Sequence, residues 1–208
     1  MAILTAVNRA LTAITALPTA AALTDGNFTL LSTQTASSSS TINFTSGLDS
    51  TYDSYVFKFI NIHAGTDNKD LLAKFRDGST AYDATCTTTM FSSRHQESGG
   101  DYAIGAETGQ DEGQSTDGVK LSVGLGTGND ESTSGYLQLF QPSSTTFVKH
   151  FISVFPIVHH VEYSYNWYKT GYVNVTAAVD GVQFVMSSGN IDAGVIKLYG
   201  VGPKQSWS

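Results

Sequence analysis

The sequence predicts an all-β chain: an antiparallel, jelly-roll-like β-sandwich led by a short N-terminal arm. Three observations carry this expectation. Beyond Gly26 the apolar residues fall in short runs of period two, the repeat of a half-buried strand, and almost no segment keeps the helical period. Gly, Asp, Asn and Ser interrupt the runs at roughly the 8-to-12-residue spacing of sandwiches and barrels. Strands do not alternate with helical stretches, which excludes parallel βαβ units and the nucleotide sites of doubly wound folds.

The 208 residues divide into an arm or tether, 1–25, and one sandwich domain, 26–208. In the arm, Ile3, Leu4, Val7, Leu11, Ile14 and Leu17 recur every three or four positions, the spacing of one helical face, until Pro18 ends it. The arm is therefore expected to be helical, or extended where its many Thr residues win. A helix this short is marginal alone in water, so the stripe needs a surface, on its own domain or on a neighbouring subunit. Asn8 and Arg9 lie inside the stretch and no basic region precedes it, unlike an export signal. Nothing approaches the ~18 unbroken apolar residues of a membrane span, and no membrane partner is expected.

In the sandwich, Phe28 to Thr33 and Thr41 to Thr45 flank Ser37 to Ser40, a serine run expected to form a turn. Tyr55, Phe57 and Phe59 alternate with Val56, Lys58 and Ile60. With both faces largely apolar, this strand should be central. Leu71 to Arg76 and Thr87 to Phe91 follow. Val119, Leu121, Val123 and Leu125 alternate with Lys120, Ser122 and Gly124, so one face should be buried and the other should meet solvent or a partner. The remaining strands are Tyr136 to Gln141, Phe147 to Phe155, Glu162 to Tyr168, Tyr172 to Val179, Val182 to Met186 and Val195 to Tyr199. Asp77-Gly78 and Asp180-Gly181 stand between strand runs as hairpin turns do. Ser188-Gly189-Asn190 marks another break.

Charge is sparse and uneven. Only 14% of residues are charged, and 49 Ser and Thr stand in their place, where ordinary soluble domains are about 25% charged. Such a weakly self-repelling surface suits a subunit that packs against copies of itself or a large assembly. A net charge of −7 leaves no basic excess to neutralise phosphates, which argues against a nucleic-acid partner. Residues 97–131 hold eight acids, one base (Lys120) and nine of the 20 glycines, and the rest of the chain is neutral. Asp111, Glu112, Asp117, Asp130 and Glu131 offer the hard oxygens calcium prefers, without the spacing of a calcium loop. A solvated loop that keeps a neutral surface soluble is the simpler expectation, with no metal or other cofactor.

No catalytic residue emerges. Gly124-Leu125-Gly126-Thr127-Gly128-Asn129 only approximates a dinucleotide fingerprint, and GxSxG, GxxxxGK[ST] and HEXXH are absent. His159 and His160 are adjacent, so in a strand they would point to opposite faces. His63, His95 and His150 read as ordinary surface or core histidines. Cys86 is the one cysteine, which excludes an intrachain disulfide, and it reads as a small buried side chain. Tyr163, Tyr165 and Trp167 alternate onto one strand face, which suits a core edge, a subunit interface or a glycan platform.

The segments TDGNFTLLSTQTASSSSTINFTSGLDSTYDSYVFKFINIHAGTD, FRDGSTAYDA, LQLFQPSSTTFVKHF and AVDGVQFVMSSGNIDAGVIKLYGVG resemble structural proteins of tailed bacteriophages, particularly marine ones. The closing DGVQFxMSSGNIxxGxIKLYG stretch is the most specific part. This resemblance, over roughly residues 25–202, implies a non-enzymatic, homo-oligomeric β-rich component, made in the host bacterial cytoplasm and resident in the virion. Its implied partners are the phage major capsid protein or neighbouring virion subunits, and it brings no cofactor residues. With an apolar arm and no coiled coil or shaft, the expectation is a capsid decoration or cement protein docking through Ile3 to Leu17. The alternative is a tail-associated or tail-fibre sandwich that binds host surface glycan through Tyr163, Tyr165, Trp167 and the 97–118 loop.

Overall fold

The computed structural model describes residues 28–202. Its strands are β1 (Phe28–Ser39), β2 (Ile42–Phe44), β3 (Ser54–Ala64), β4 (Lys69–Arg76), β5 (Cys86–Gln96), β6 (Tyr102–Ala106), β7 (Val119–Leu125), β8 (Thr133–Phe140), β9 (Lys149–His159), β10 (Tyr163–Val173), β11 (Gly181–Met186) and β12 (Ile191–Val201). A 3-10 turn, Thr108–Gln110, accompanies them. The arm, with Ile3, Leu4, Val7, Leu11, Ile14 and Leu17, lies outside the described residues.

Antiparallel pairing links all twelve strands into one continuous sheet that folds over into two halves, β1-β12-β3-β8-β9-β10-β5-β6 and β7-β4-β11-β2. They join at one corner, where Leu125 pairs with His159, and curl into a nearly closed, barrel-like sandwich. Setting aside β5, β6, β9 and β10, the other eight strands change sheet along the chain at every step except β4 to β7, which are neighbours in the second sheet. Their orders, β1-β12-β3-β8 and β2-β11-β4-β7, are those of a jelly roll. The inserted hairpins β5-β6 and β9-β10 widen only the first sheet.

Aromatic rings fill the space between the sheets. Phe184 of β11 meets Phe57 and Phe59 of β3 edge to face at 5.2 and 4.9 Å. Phe59 reaches Phe155 of β9 at 5.0 Å, and Phe75 of β4 stacks on Phe151 at 5.7 Å. Each such pair contributes about 0.5–1.5 kcal/mol beyond area burial. β3 is central, between β12 and β8, but its second face carries exposed Lys58 and Ile60.

Four local expectations change. Ser37 to Ser39 continue β1, opposite Ala193 to Ile191 of β12, and the turn begins at Ser40. The neighbouring ladder outweighs the low strand preference of serine, and Ser38 Oγ donates to Asp192 at 2.7 Å. Tyr172 and Val173 finish β10, and the residues after them leave the ladder. Neither Asp-Gly pair closes a hairpin: Asp77-Gly78 leads from β4 towards β5, and Asp180-Gly181 leads into β11 after β10, each time into the opposite sheet. In a jelly roll the chain switches sheets between strands, so a tight-turn signal marks a crossover. The two turns are tied together instead, by Arg76 Nε to Asp180 at 2.8 Å.

The fourth change concerns β7, which has no open face. Ser122 and Gly124 are as buried as Leu121 and Leu125. Gly124, at φ +60°, lies beneath His159, where a Cβ would stand 2.0 Å from Nε2. This close approach is what permits the corner between the sheets.

Candidate interaction surfaces

The acidic segment proves to be a strap across the inner face of β5 and β10. Its 3-10 turn and the residues after it bring Glu112, 8% exposed, against Lys169 of β10, fully buried, at 2.7 Å. Glu112 also accepts the Thr88 hydroxyl of β5, and Thr88 Oγ1 accepts the Glu112 N–H at 2.8 Å. Lys169 Nζ donates to the Gln110 carbonyl at 2.7 Å, and Lys120 Nζ to Gln110 Oε1 at 2.9 Å. Cys86 and Ser115 exchange backbone hydrogen bonds, and Ser92 Oγ donates to Glu107 at 2.8 Å. Burial pulls Lys169 below the ordinary lysine range, while the Glu112 carboxylate opposes that shift. The solvated loop expected from composition is thus corrected: its middle is interior, because alternate residues of β5 and β10 provide a hydroxyl and an ammonium for it.

The calcium candidates are dispersed. Glu112 is engaged by Lys169, Glu131 accepts the Gly128 N–H at 2.6 Å, and Asp117 and Asp130 are exposed. Among the described residues no three His, Cys, Asp or Glu groups form a metal-binding cluster.

Tyr163, Tyr165 and Trp167 do share one face of β10, the inner one, in a gradient of burial. Trp167 is 1% exposed and belongs to the core, so it presents no ring to a ligand. Tyr165 and Tyr163 follow it outward, with ring centroids 6.5 and 5.9 Å apart along the series. Arg94 donates to the Tyr165 hydroxyl at 3.4 Å and pairs with Asp101 at 3.3 Å, and Asp101 accepts from Tyr163 at 3.1 Å. His159 packs on Tyr165 at 5.2 Å. The strand ends at His159, so His160 in the following turn brings its ring within 4.3 Å, contrary to the opposite-face expectation. Burial, then the neighbouring His160, lowers the His159 pKa.

Lys149 is another interior cation. Its Nζ donates to the carbonyls of Val175 at 3.0 Å and Thr176 at 2.9 Å, and to that of Ala177. Burial lowers its pKa. It fastens the chain after β10, as Lys169 fastens the strap. Sequence alternation contained a signal for both, since Lys149 and Lys169 each stand at an inward position of their strands.

The outer face of the large sheet differs from this polar interior. One register row runs Lys58, Tyr136, Val154, Tyr168, Phe91 and Ala106 across β3, β8, β9, β10, β5 and β6. Phe91 and Tyr168 stack at 5.1 Å. Beyond β3 no outward residue on these strands is Asp, Glu, Lys or Arg. On the other half, Lys58 lies over the Phe28 ring at 4.7 Å. A separate open groove of about 670 Å3 lies near Asp53, Gln141, Phe147 and His150, at the loop joining β8 to β9.

No protein-family profile matches the chain, and no curated protein or solved structure does so either. Among the described residues no helix is long and apolar enough to cross a membrane.

Proposed function

We propose that this chain is a non-enzymatic structural subunit of a phage virion, a capsid decoration or cement protein seated on a shell of major capsid protein. The observation that supports the reading is the broad outer sheet face without formal charge, suited to packing rather than to catalysis or polyanion binding. The likeness of residues 25–202 to tailed-phage virion proteins points the same way. Docking is assigned to Ile3, Leu4, Val7, Leu11, Ile14 and Leu17, an apolar stripe joined to the sandwich at one sheet edge. Many weak, repeated contacts then hold the subunit through multivalency.

The test is addition of the full chain to bare particles. Saturation at hundreds of copies per particle is the expected result, and deletion of residues 1–24 should lower occupancy. Wild-type occupancy by the truncated chain overturns the docking role, and a copy number of a few to some tens indicates a tail component. A glycan-binding tail sandwich would rest on Tyr163 and Tyr165 without the core-bound Trp167, and a blank glycan array would remove it.

A further inference from the structure

We infer that the outer face of β8, β9, β10, β5 and β6 is a self-association surface, occupied by the same face of a second copy of this chain. The inference deepens the structural reading above by naming a surface and a partner, and it rests on that reading only for its biological setting.

Side-chain chemistry is the first support. Tyr102 and Ile104 of β6 are 77% and 78% exposed, and Phe91 and Tyr136 are also exposed. The ladder places all four on one face: Phe91, Ser93 and His95 stand opposite Ala106, Ile104 and Tyr102, and Tyr136 joins Phe91 through Val154 and Tyr168. Large apolar side chains gathered on one sheet face mark a surface that another surface covers.

Charge selects a second copy. A chain of net charge −7 repels its own copies wherever its acids meet. This face has no Asp, Glu, Lys or Arg, and its basic side chains are the imidazoles of His95 and His150, so two identical faces meet without carboxylate or ammonium repulsion, as an isologous contact requires. The lysines of the same sheet, Lys58 and Lys197, are register neighbours on β3 and β12, beyond its border. A two-fold axis through the β9-β10-β5 centre keeps them away from the contact. The lysines and arginine of the extension, Lys149, Lys169 and Arg94, occupy inward positions.

Size agrees. At about 4.8 Å between strands and about 3.3 Å per residue, the five strands span on the order of 700 Å2. A standard interface takes about 800 Å2 from each partner. The chain's own residues 1–27 join at Phe28 on β1, three strand spacings from β8, and whether they occupy the face is decided by the truncation below.

Sedimentation of the full chain over a dilution series tests the pairing. The wild type should sediment as a dimer at tens of micromolar, and Ile104→Lys as a monomer whose melting temperature equals that of the wild type diluted until it too is monomeric, since the residue is exposed. Tyr102→Lys should act in the same direction. A monomeric wild type, or an Ile104→Lys chain that stays dimeric, overturns the inference. Loss of the dimer on deleting residues 1–24 also overturns it, because the arm would then be the true contact. The particle-binding assay is a separate measurement: a dimer broken by Ile104→Lys upholds the pairing even if the wild type never binds bare particles.

Discussion

Lys169 and Glu112 stand 2.7 Å apart with neither charge open to water, one on β10 and the other in the middle of the acidic strap. Each needs the other, because an unpaired buried charge is far more costly than an exposed one. Glu112→Gln should therefore lower unfolding stability by about 3–5 kcal/mol, read from the urea midpoint at constant slope. A paired Glu112→Leu, Lys169→Met chain should recover most of that loss. Equal losses in the single and double variants would show that the strap is held by its backbone hydrogen bonds instead.

Gly124 makes room for His159 at the joint between the sheets. Gly124→Ala adds a methyl in a left-handed conformation against a half-buried ring, and should cost about 1–3 kcal/mol. Combining it with His159→Ala should return part of the loss, because the two residues are in contact and their effects do not add. Thermal unfolding of the three variants checks this.

His159 also supplies a pH dependence. Its folded pKa is lowered by burial and by His160, so between that value and the ordinary value of 6.5 the unfolded chain binds the proton that the folded chain refuses. The associated stability is complete above 6.5 and is lost as pH falls through 6.5 towards the folded value. Melting temperature should thus drop from pH 7 to pH 5, and drop less in His159→Gln. Identical drops in the two proteins would assign the dependence to other groups.

Cys86 should be inert in the folded protein. It is buried at the start of β5, and burial pushes its thiol up to about 12, with Glu112 nearby adding to the shift. Thiolate is the reactive form. Alkylation by iodoacetamide at pH 8 should be negligible in native buffer and complete in denaturant, followed by intact mass. Rapid labelling of the native chain would place the strap over β5 in an open state much of the time.

The strands were legible because period two is a local property. Tyr55, Phe57 and Phe59 point inward and Lys58 outward, as their alternation says, and Cys86 is buried as its apolar, thiol character suggests. Turns differ from expectation where local chemistry has two outcomes. Asp180-Gly181 has the composition of a hairpin, but whether the chain returns beside the same strand or crosses to another sheet depends on which edge is free.

An antiparallel all-β body, the absence of an intrachain disulfide and the concentration of acid between residues 97 and 131 are all readable along the chain. Alternation and composition are enough for these, since each is read from neighbours in the chain. That Glu112 turns inward to Lys169, that Trp167 belongs to the core while Tyr163 lies near the surface, and that Phe91, Tyr136 and Ile104 share one face without acidic, lysine or arginine side chains follow from the three-dimensional pairing. Those outcomes depend on strand order and register. Both are set by long-range pairing between segments that carry no local mark of their partners.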